Sequence, residues 1–164
     1  MSDQKLLEFE HLIQINDPQR PDIAFISRAQ LWGGLVFRAR YPDRFNPSLE
    51  CHIEAEHTSG FTRVIRVGDT VMHDEVNLIG LSTINTRLSA GTDNLQAESI
   101  TRIEEPEPGA LFVRFVYRRD SLARTDEANY DDMLKSAYLQ MDRDAIRLLR
   151  EWFANGWDPG QPWQ

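Results

Sequence analysis

Between Cys51 and Arg119, turn-forming residues recur about every ten positions, and each stretch between them has strand character. The breaks are Ser59-Gly60, Gly68-Asp69, Gly80, Gly91 with Asp93-Asn94, and Pro106-Glu107-Pro108-Gly109. They divide the segment into strands predicted at 51–57, 61–67, 70–78, 82–89, 95–104 and 110–119. Connections this short join antiparallel neighbours, because a parallel crossover needs about a dozen residues or more. The last strand alternates, with Leu111, Val113, Phe115 and Tyr117 on one face and Arg114 and Arg118 on the other. Residues 6–15 alternate in the same way: Leu7, Phe9, His11, Ile13 and Ile15 share a face. Asn16-Asp17-Pro18 ends that run. A sheet of seven such strands has an apolar face that another element must cover.

Two helical segments are available to cover it. Ser27 reads as an N-cap for a helix over Arg28 to Arg40, with Leu31, Trp32, Leu35, Val36 and Ala39 at helical spacing. Gly33 and Gly34 would each weaken that helix by about 1 kcal/mol relative to Ala, which is explained if another backbone approaches closely or if the helix kinks there. Tyr41-Pro42 stops it. A short further turn is expected near Pro42–Phe45 or Pro47–Glu50. The longest periodic segment is 126–154, opened by Thr125-Asp126-Glu127. Tyr130, Met133, Leu134, Ala137, Tyr138, Met141, Ala145, Leu148, Leu149 and Trp152 form its expected apolar stripe. Asp131, Asp132, Lys135, Asp142, Arg143, Arg147, Arg150 and Glu151 fill the expected wet face. Asn155-Gly156 caps the end. The order predicts an α+β fold: one domain over 1–156, then a tail over 157–164.

Composition narrows the function classes. The chain has 164 residues and a formal net charge of −8, which disfavours nonspecific nucleic-acid binding through phosphate contacts. The single Cys51 excludes an internal disulfide and a multi-cysteine metal site. No apolar run approaches the roughly 20 residues of a membrane span. A cytoplasmic protein is expected, since the N-terminal residues lack the layout of a signal peptide.

Three phrases carry a family resemblance. They are FEHLIQIND (Phe9 to Asp17), ISRAQLWGGLVFRARYPDRF (Ile26 to Phe45) and KSAYLQMDRDAIRLLRE (Lys135 to Glu151). Together with the element order, they resemble the AtaL-like branch of the START-like, or birch-pollen-allergen-like (SRPBCC), superfamily. The resemblance covers roughly residues 6 to 154. It implies a helix-grip fold: a curved seven-stranded antiparallel sheet wrapped around a long C-terminal helix, with one or two short helices after the first strand. Superfamily relatives bind lipids, hormones or polyketides, and a few cyclise or dehydrate them. The resemblance therefore implies a cavity between sheet and helix. The plant members carry a glycine-rich loop between early strands. Here Ser59-Gly60 and Gly68-Asp69 hold one glycine each, so no phosphate cradle is expected.

Within such a cavity, strand parity selects the polar residues. His11 shares a face with Phe9 and Ile13 and would bond a ligand or act as general base. A buried histidine satisfied by backbone or a carboxylate is the structural alternative. Arg63 shares parity with Phe61, Ile65 and Val67; it would anchor a ligand anion, or pair internally with Glu75 or Glu98. On the strand over 70–78, Val71, His73, Glu75 and Asn77 share one face and Met72, Asp74, Val76 and Leu78 share the other, more apolar one. Either choice of inner face places an acid, Glu75 or Asp74, near the core. His11 or His73 with Asp74 or Glu75 would make a proton-transfer pair. His52-x-Glu54-x-Glu56 shares a face and reads as solvated strand surface rather than as a metal site. Tyr117, Tyr130 and Tyr138 would point hydroxyls inward, and Met133, Ala137 and Met141 would line the cavity from the helix. No cofactor or metal is expected: nucleophile-elbow, dinucleotide and P-loop patterns are lacking.

The leading expectation is binding of a small hydrophobic or amphipathic ligand by His11, Arg63, Tyr117, Met133, Ala137, Tyr138 and Met141. The alternative is a polyketide cyclase/dehydratase-type enzyme that moves a proton through His11 or a nearby acid. A third reading is a homodimeric interaction module built on Trp152, Phe153, Trp157 and Trp163.

Overall fold

The computed structural model describes residues 6–90, 96–120 and 128–160. Its elements are β1 (Leu6–Asn16), α1 (Arg28–Arg40), a 3-10 turn (Pro42–Arg44), β2 (Glu50–His57), β3 (Gly60–Val67), β4 (Thr70–Ile79), β5 (Thr83–Ala90), β6 (Ala97–Glu107), β7 (Ala110–Asp120) and α2 (Ala128–Ala154). The strands form one antiparallel sheet in the order β1-β7-β6-β5-β4-β3-β2. After β1 the chain crosses to the opposite edge through α1, then meanders back until β7 pairs with β1. The sheet curves around α2, giving the helix-grip fold.

Local chemistry explains the element ends. Ser27 caps α1 through a complete capping box: its hydroxyl accepts from Gln30 N, and the Gln30 side chain accepts from Ser27 N. Ser27→Ala is expected to cost about 1 kcal/mol, read as a lower urea midpoint at unchanged slope. At the end of α2, Gly156 N–H bonds Phe153 O and Trp157 N–H bonds Trp152 O. Gly156 takes φ +88° between them, a Schellman termination that glycine adopts without strain. The expected helix start at Thr125-Asp126-Glu127 lies outside the described residues.

The core lies between the inner sheet face and the two helices. Phe61, Phe115, Leu31, Leu149, Val76 and Val113 are fully buried in it. The paired glycines of α1 mark close approaches by side chains rather than by backbone. A Cβ on Gly34 would lie 2.9 Å from Leu149 Cδ2, and one on Gly33 would lie 2.7 Å from Pro159 Cγ. α2 therefore seats on one glycine and the segment after it on the other. Asn16 fixes the entry to α1, donating to Ile26 O at 2.6 Å and accepting from Ile26 N at 3.0 Å. Arg150 of α2 donates to Ile15 O and Ala24 O, tying the same loop to the helix. No helix among the described residues is long and apolar enough to cross a membrane.

Candidate functional site

The inner faces of β1 and β7 carry an aromatic row. His11 stacks on Phe115 with ring centroids 5.0 Å apart, and Phe9 stacks on His11 at 5.6 Å. Tyr117 stacks on Tyr138 of α2 at 4.0 Å, nearly parallel. Alternation within each strand places these rings on one side, and register brings His11 opposite Phe115 and Phe9 opposite Tyr117.

This row converges on Asp142 of α2, whose exposure is 0%. Arg38 Nη1 of α1 donates to Asp142 Oδ1 at 2.9 Å. The Tyr117 hydroxyl donates to the carboxylate, 2.8 Å from Oδ1 and 2.6 Å from Oδ2. His11 Nε2 lies 2.7 Å from Oδ2. A carboxylate there only accepts, so Nε2 carries the hydrogen. Nδ1 is buried without a hydrogen-bond partner among the described residues. Burial, and after it the Asp142 charge, push the Tyr117 phenol well above its ordinary range, so it stays a donor at neutral pH.

A second polar cluster joins β3, β4 and α1. Arg63 Nε donates to Asp74 Oδ2 at 3.0 Å, and Nη1 donates to Ala39 O at 2.5 Å. Burial raises the Asp74 carboxyl above its ordinary value, against the opposing pull of Arg63.

Between the clusters is a cleft of about 250 Å3. Leu35, Ile65, Met72, Ile84 and Met141 give it an apolar wall. Arg38, Arg63, Thr86, Ser99, Tyr117 and Tyr138 supply its polar groups. An adjoining space of about 180 Å3 shares Arg63, Met72, Thr86, Ser99, Tyr117 and Tyr138 and reaches Leu88, Ala97 and Arg119. The pattern is that of a ligand pocket, mostly apolar with a few polar groups.

The structure gathers some of the expected site residues and separates others. Arg63, Tyr117, Tyr138 and Met141 line the cleft. His11 lies in the wall behind it, its side chain 9% exposed and outside the lining. Met133 is 69% exposed, Ala137 is exposed, and Tyr130 is 43% exposed. Arg63 pairs with Asp74 rather than with Glu75 or Glu98, since Asp74 lies directly across from it in the β3–β4 register. The proton-transfer pairs drawn with Asp74 or Glu75 do not form: His11 meets Asp142, and His73 meets Glu54 at 2.8 Å.

Two further corrections have geometric causes. Asp142 is on the buried face of α2, not the wet one, because it stands four residues after Tyr138 and three before Ala145. The expected stripe merged two adjacent rows of the helix; Met133, Ala137 and Met141 belong to the outer one. In β2 the register shifts between Ile53 and Ala55, so Glu56 pairs with Phe61 and leaves the face of His52 and Glu54. Glu56 then accepts from Arg40 of α1 at 2.5 Å and 3.1 Å. No group of His, Cys, Asp and Glu among the described residues is arranged to hold a metal ion.

Trp152, Phe153 and Trp157 of the aromatic cluster read as a dimer interface are partly buried and pack against the protein's own core. Phe37 packs against Trp152 at 6.1 Å and Trp157 at 4.9 Å, and Phe153 stacks on Trp157 at 5.5 Å. Trp163 lies outside the described residues.

Solved structures share this fold at low identity. The Zhui aromatase/cyclase from Streptomyces sp. R1128 aligns with a TM-score of 0.63 at 13% identity, over 90% of this chain and 93% of that one. Ara h 8.0201 gives 0.60 at 15% identity, over 88% and 98%. A START superfamily protein from Mycobacterium smegmatis gives 0.61 at 14% identity, over 90% and 98%. These place the chain in the START-like, birch-pollen-allergen-like fold. No curated protein matches it by sequence. Residues 13–156, including α1, Asp142 with its partners Arg38 and Tyr117, and the whole cleft, match the model of the AtaL family, described as acetylaranotin biosynthesis cluster protein L, and the chain belongs to that family.

Proposed function

We propose that the protein binds a small hydrophobic or amphipathic molecule, of lipid, polyketide or aromatic type, in the cleft between sheet and α2. The observation that carries this reading is the cleft itself: an apolar wall faced by Arg63, Thr86, Ser99, Tyr117 and Tyr138. Burial of the ligand's apolar surface supplies affinity at about 25 cal/mol per Å2. Tyr117, held by Asp142, and Tyr138, stacked on it, give the cleft a rigid aromatic wall. Met141, one turn along α2 from Tyr138, lets the lining adapt to the shape of the ligand.

Thermal unfolding with panels of fatty acids and aromatic polyketides tests the proposal. A ligand at a hundredfold excess over its Kd stabilises by about 2.7 kcal/mol, a rise in Tm of roughly 5–10 °C for a chain of this size. Ser99→Phe, which fills the cleft, removes the shift. A panel that gives no shift and no adduct in native mass spectrometry would overturn it.

A catalytic reading rests on one contact, the Tyr117 hydroxyl on Asp142. His11 and Asp142 lie behind the lining, so Tyr117 and Arg38 are the members of the cluster that a substrate in the cleft would meet, and of the two Tyr117 carries the transferable proton. In a cyclase or dehydratase of this kind, Tyr117→Phe loses turnover and keeps ligand binding. Loss of both together would return Tyr117 to a binding role.

A further inference from the structure

We propose that Arg119 is an anion anchor at one end of this cleft, and that the ligand carries an acidic group, a carboxylate or phenolate, on an apolar body. The proposal deepens the ligand-binding reading and rests on it. Arg119 continues the inward alternation of β7 two residues beyond Tyr117, opposite buried Leu7 of β1 and Ala97 of β6. It lines the space adjoining the main cleft.

Charge pairing within the cleft singles it out. Four arginines line the combined space, Arg38, Arg63, Arg118 and Arg119, and Arg118 lies 3.8 Å from Glu98 and 3.9 Å from Glu8. Arg38 is paired with Asp142 and Arg63 with Asp74. Arg119 has no carboxylate partner among the described residues; its contacts are the Tyr138 hydroxyl at 3.4 Å and Asp120 O at 3.5 Å. Glu98 borders the same space, but its carboxylate is engaged by Arg87 at 2.9 Å and Arg118 at 3.8 Å. A guanidinium does not deprotonate, so a half-buried one without a counter-ion favours an incoming anion. Its planar fork matches a carboxylate in bidentate fashion. The hydroxyls of Thr86 and Ser99 line the same space and make no side-chain hydrogen bond among the described residues. The acid is thereby placed at the Arg119 end, with the apolar body running towards Met72, Ile84 and Met141.

A matched pair of fluorescent probes tests the charge: 8-anilinonaphthalene-1-sulfonate, and N-phenyl-1-naphthylamine, which lacks the sulfonate. Arg119→Gln is expected to weaken the anionic probe about tenfold or more and to leave the neutral probe unchanged within about twofold. Arg119→Lys restores part of the anionic affinity, because it returns the charge without the fork. Equal affinity of the anionic probe for wild type and Arg119→Gln, with the neutral probe still bound, overturns the anchor and leaves the cleft reading standing. An equal loss of both probes in Arg119→Gln also overturns it, since the effect is then one of shape. If neither probe binds wild type, the cleft reading falls and the anchor falls with it.

Discussion

Asp142→Ala is expected to destabilise the protein by about 3–5 kcal/mol, the cost of removing one member of a buried ion pair. The carboxylate is fully buried and has three partners from three elements: Arg38 of α1, His11 of β1 and Tyr117 of β7. Alanine leaves a guanidinium, an imidazole N–H and a phenol facing a void. Two of those partners have little access to water, since the Tyr117 ring is packed against Tyr138 and the His11 side chain is 9% exposed. Asp142→Asn keeps the volume and one acceptor oxygen, so its cost falls between alanine and wild type. Chemical denaturation gives the two values, and Tm should fall by roughly 6–20 °C for alanine. A second readout isolates the electrostatics. Part of the upward shift of the Tyr117 phenol comes from the Asp142 charge, so in Asp142→Asn that phenol should titrate at a lower pH than in wild type. A loss under about 1 kcal/mol for alanine would mean that Asp142 is not the centre that joins these elements.

Asp142 also marks where sequence reasoning stops. The strands were legible nearly residue by residue, because alternation of period two and the turns at Ser59-Gly60 and Gly68-Asp69 leave little freedom. Ser27 and Gly156 marked helix ends through capping chemistry that a few residues determine. The inward faces of β1, β3 and β7 followed from parity alone, which put His11, Arg63 and Tyr117 on the correct side. The same parity, extended by two, would have found Arg119. Asp142 was misplaced because an acid on a helix is solvated by default, and only a partner from elsewhere in the chain reverses that. Its position in the row Tyr138, Asp142, Ala145, Leu149 was the available signal. Arg38 was missed because its role depends on where α1 lies on α2, which Gly34 permits but no local pattern specifies. The shift in β2 that brings the exposed Glu56 to the face of Arg40 has no signature in the neighbouring residues.

The Arg63–Asp74 pair behaves differently, and a double-mutant cycle should show it. Asp74→Leu leaves Arg63 charged with, among the described residues, Ala39 O to meet it, at a cost of about 3 kcal/mol. Arg63→Met should cost less, because the carboxyl left behind can take up a proton while the guanidinium cannot. The double variant, with apolar side chains in both places, is expected within about 1 kcal/mol of wild type, since a buried ion pair and a well-packed apolar pair are often nearly equal in stability. The pH dependence has a definite sign. Burial raises the folded-state pKa of Asp74 above its ordinary 3.8, so the folded protein binds this proton more tightly than the unfolded chain does. Its contribution to stability is therefore fully present below the ordinary value and is lost as pH rises through the folded value. Wild type should lose stability relative to the double variant over that rise, which urea unfolding of both proteins in steps upward from about pH 4 would measure. Stability that instead increased in wild type relative to the double variant over the same range would show that the attraction of Arg63, rather than burial, governs Asp74. A double variant as destabilised as the two single changes added together would show that the pair is not coupled.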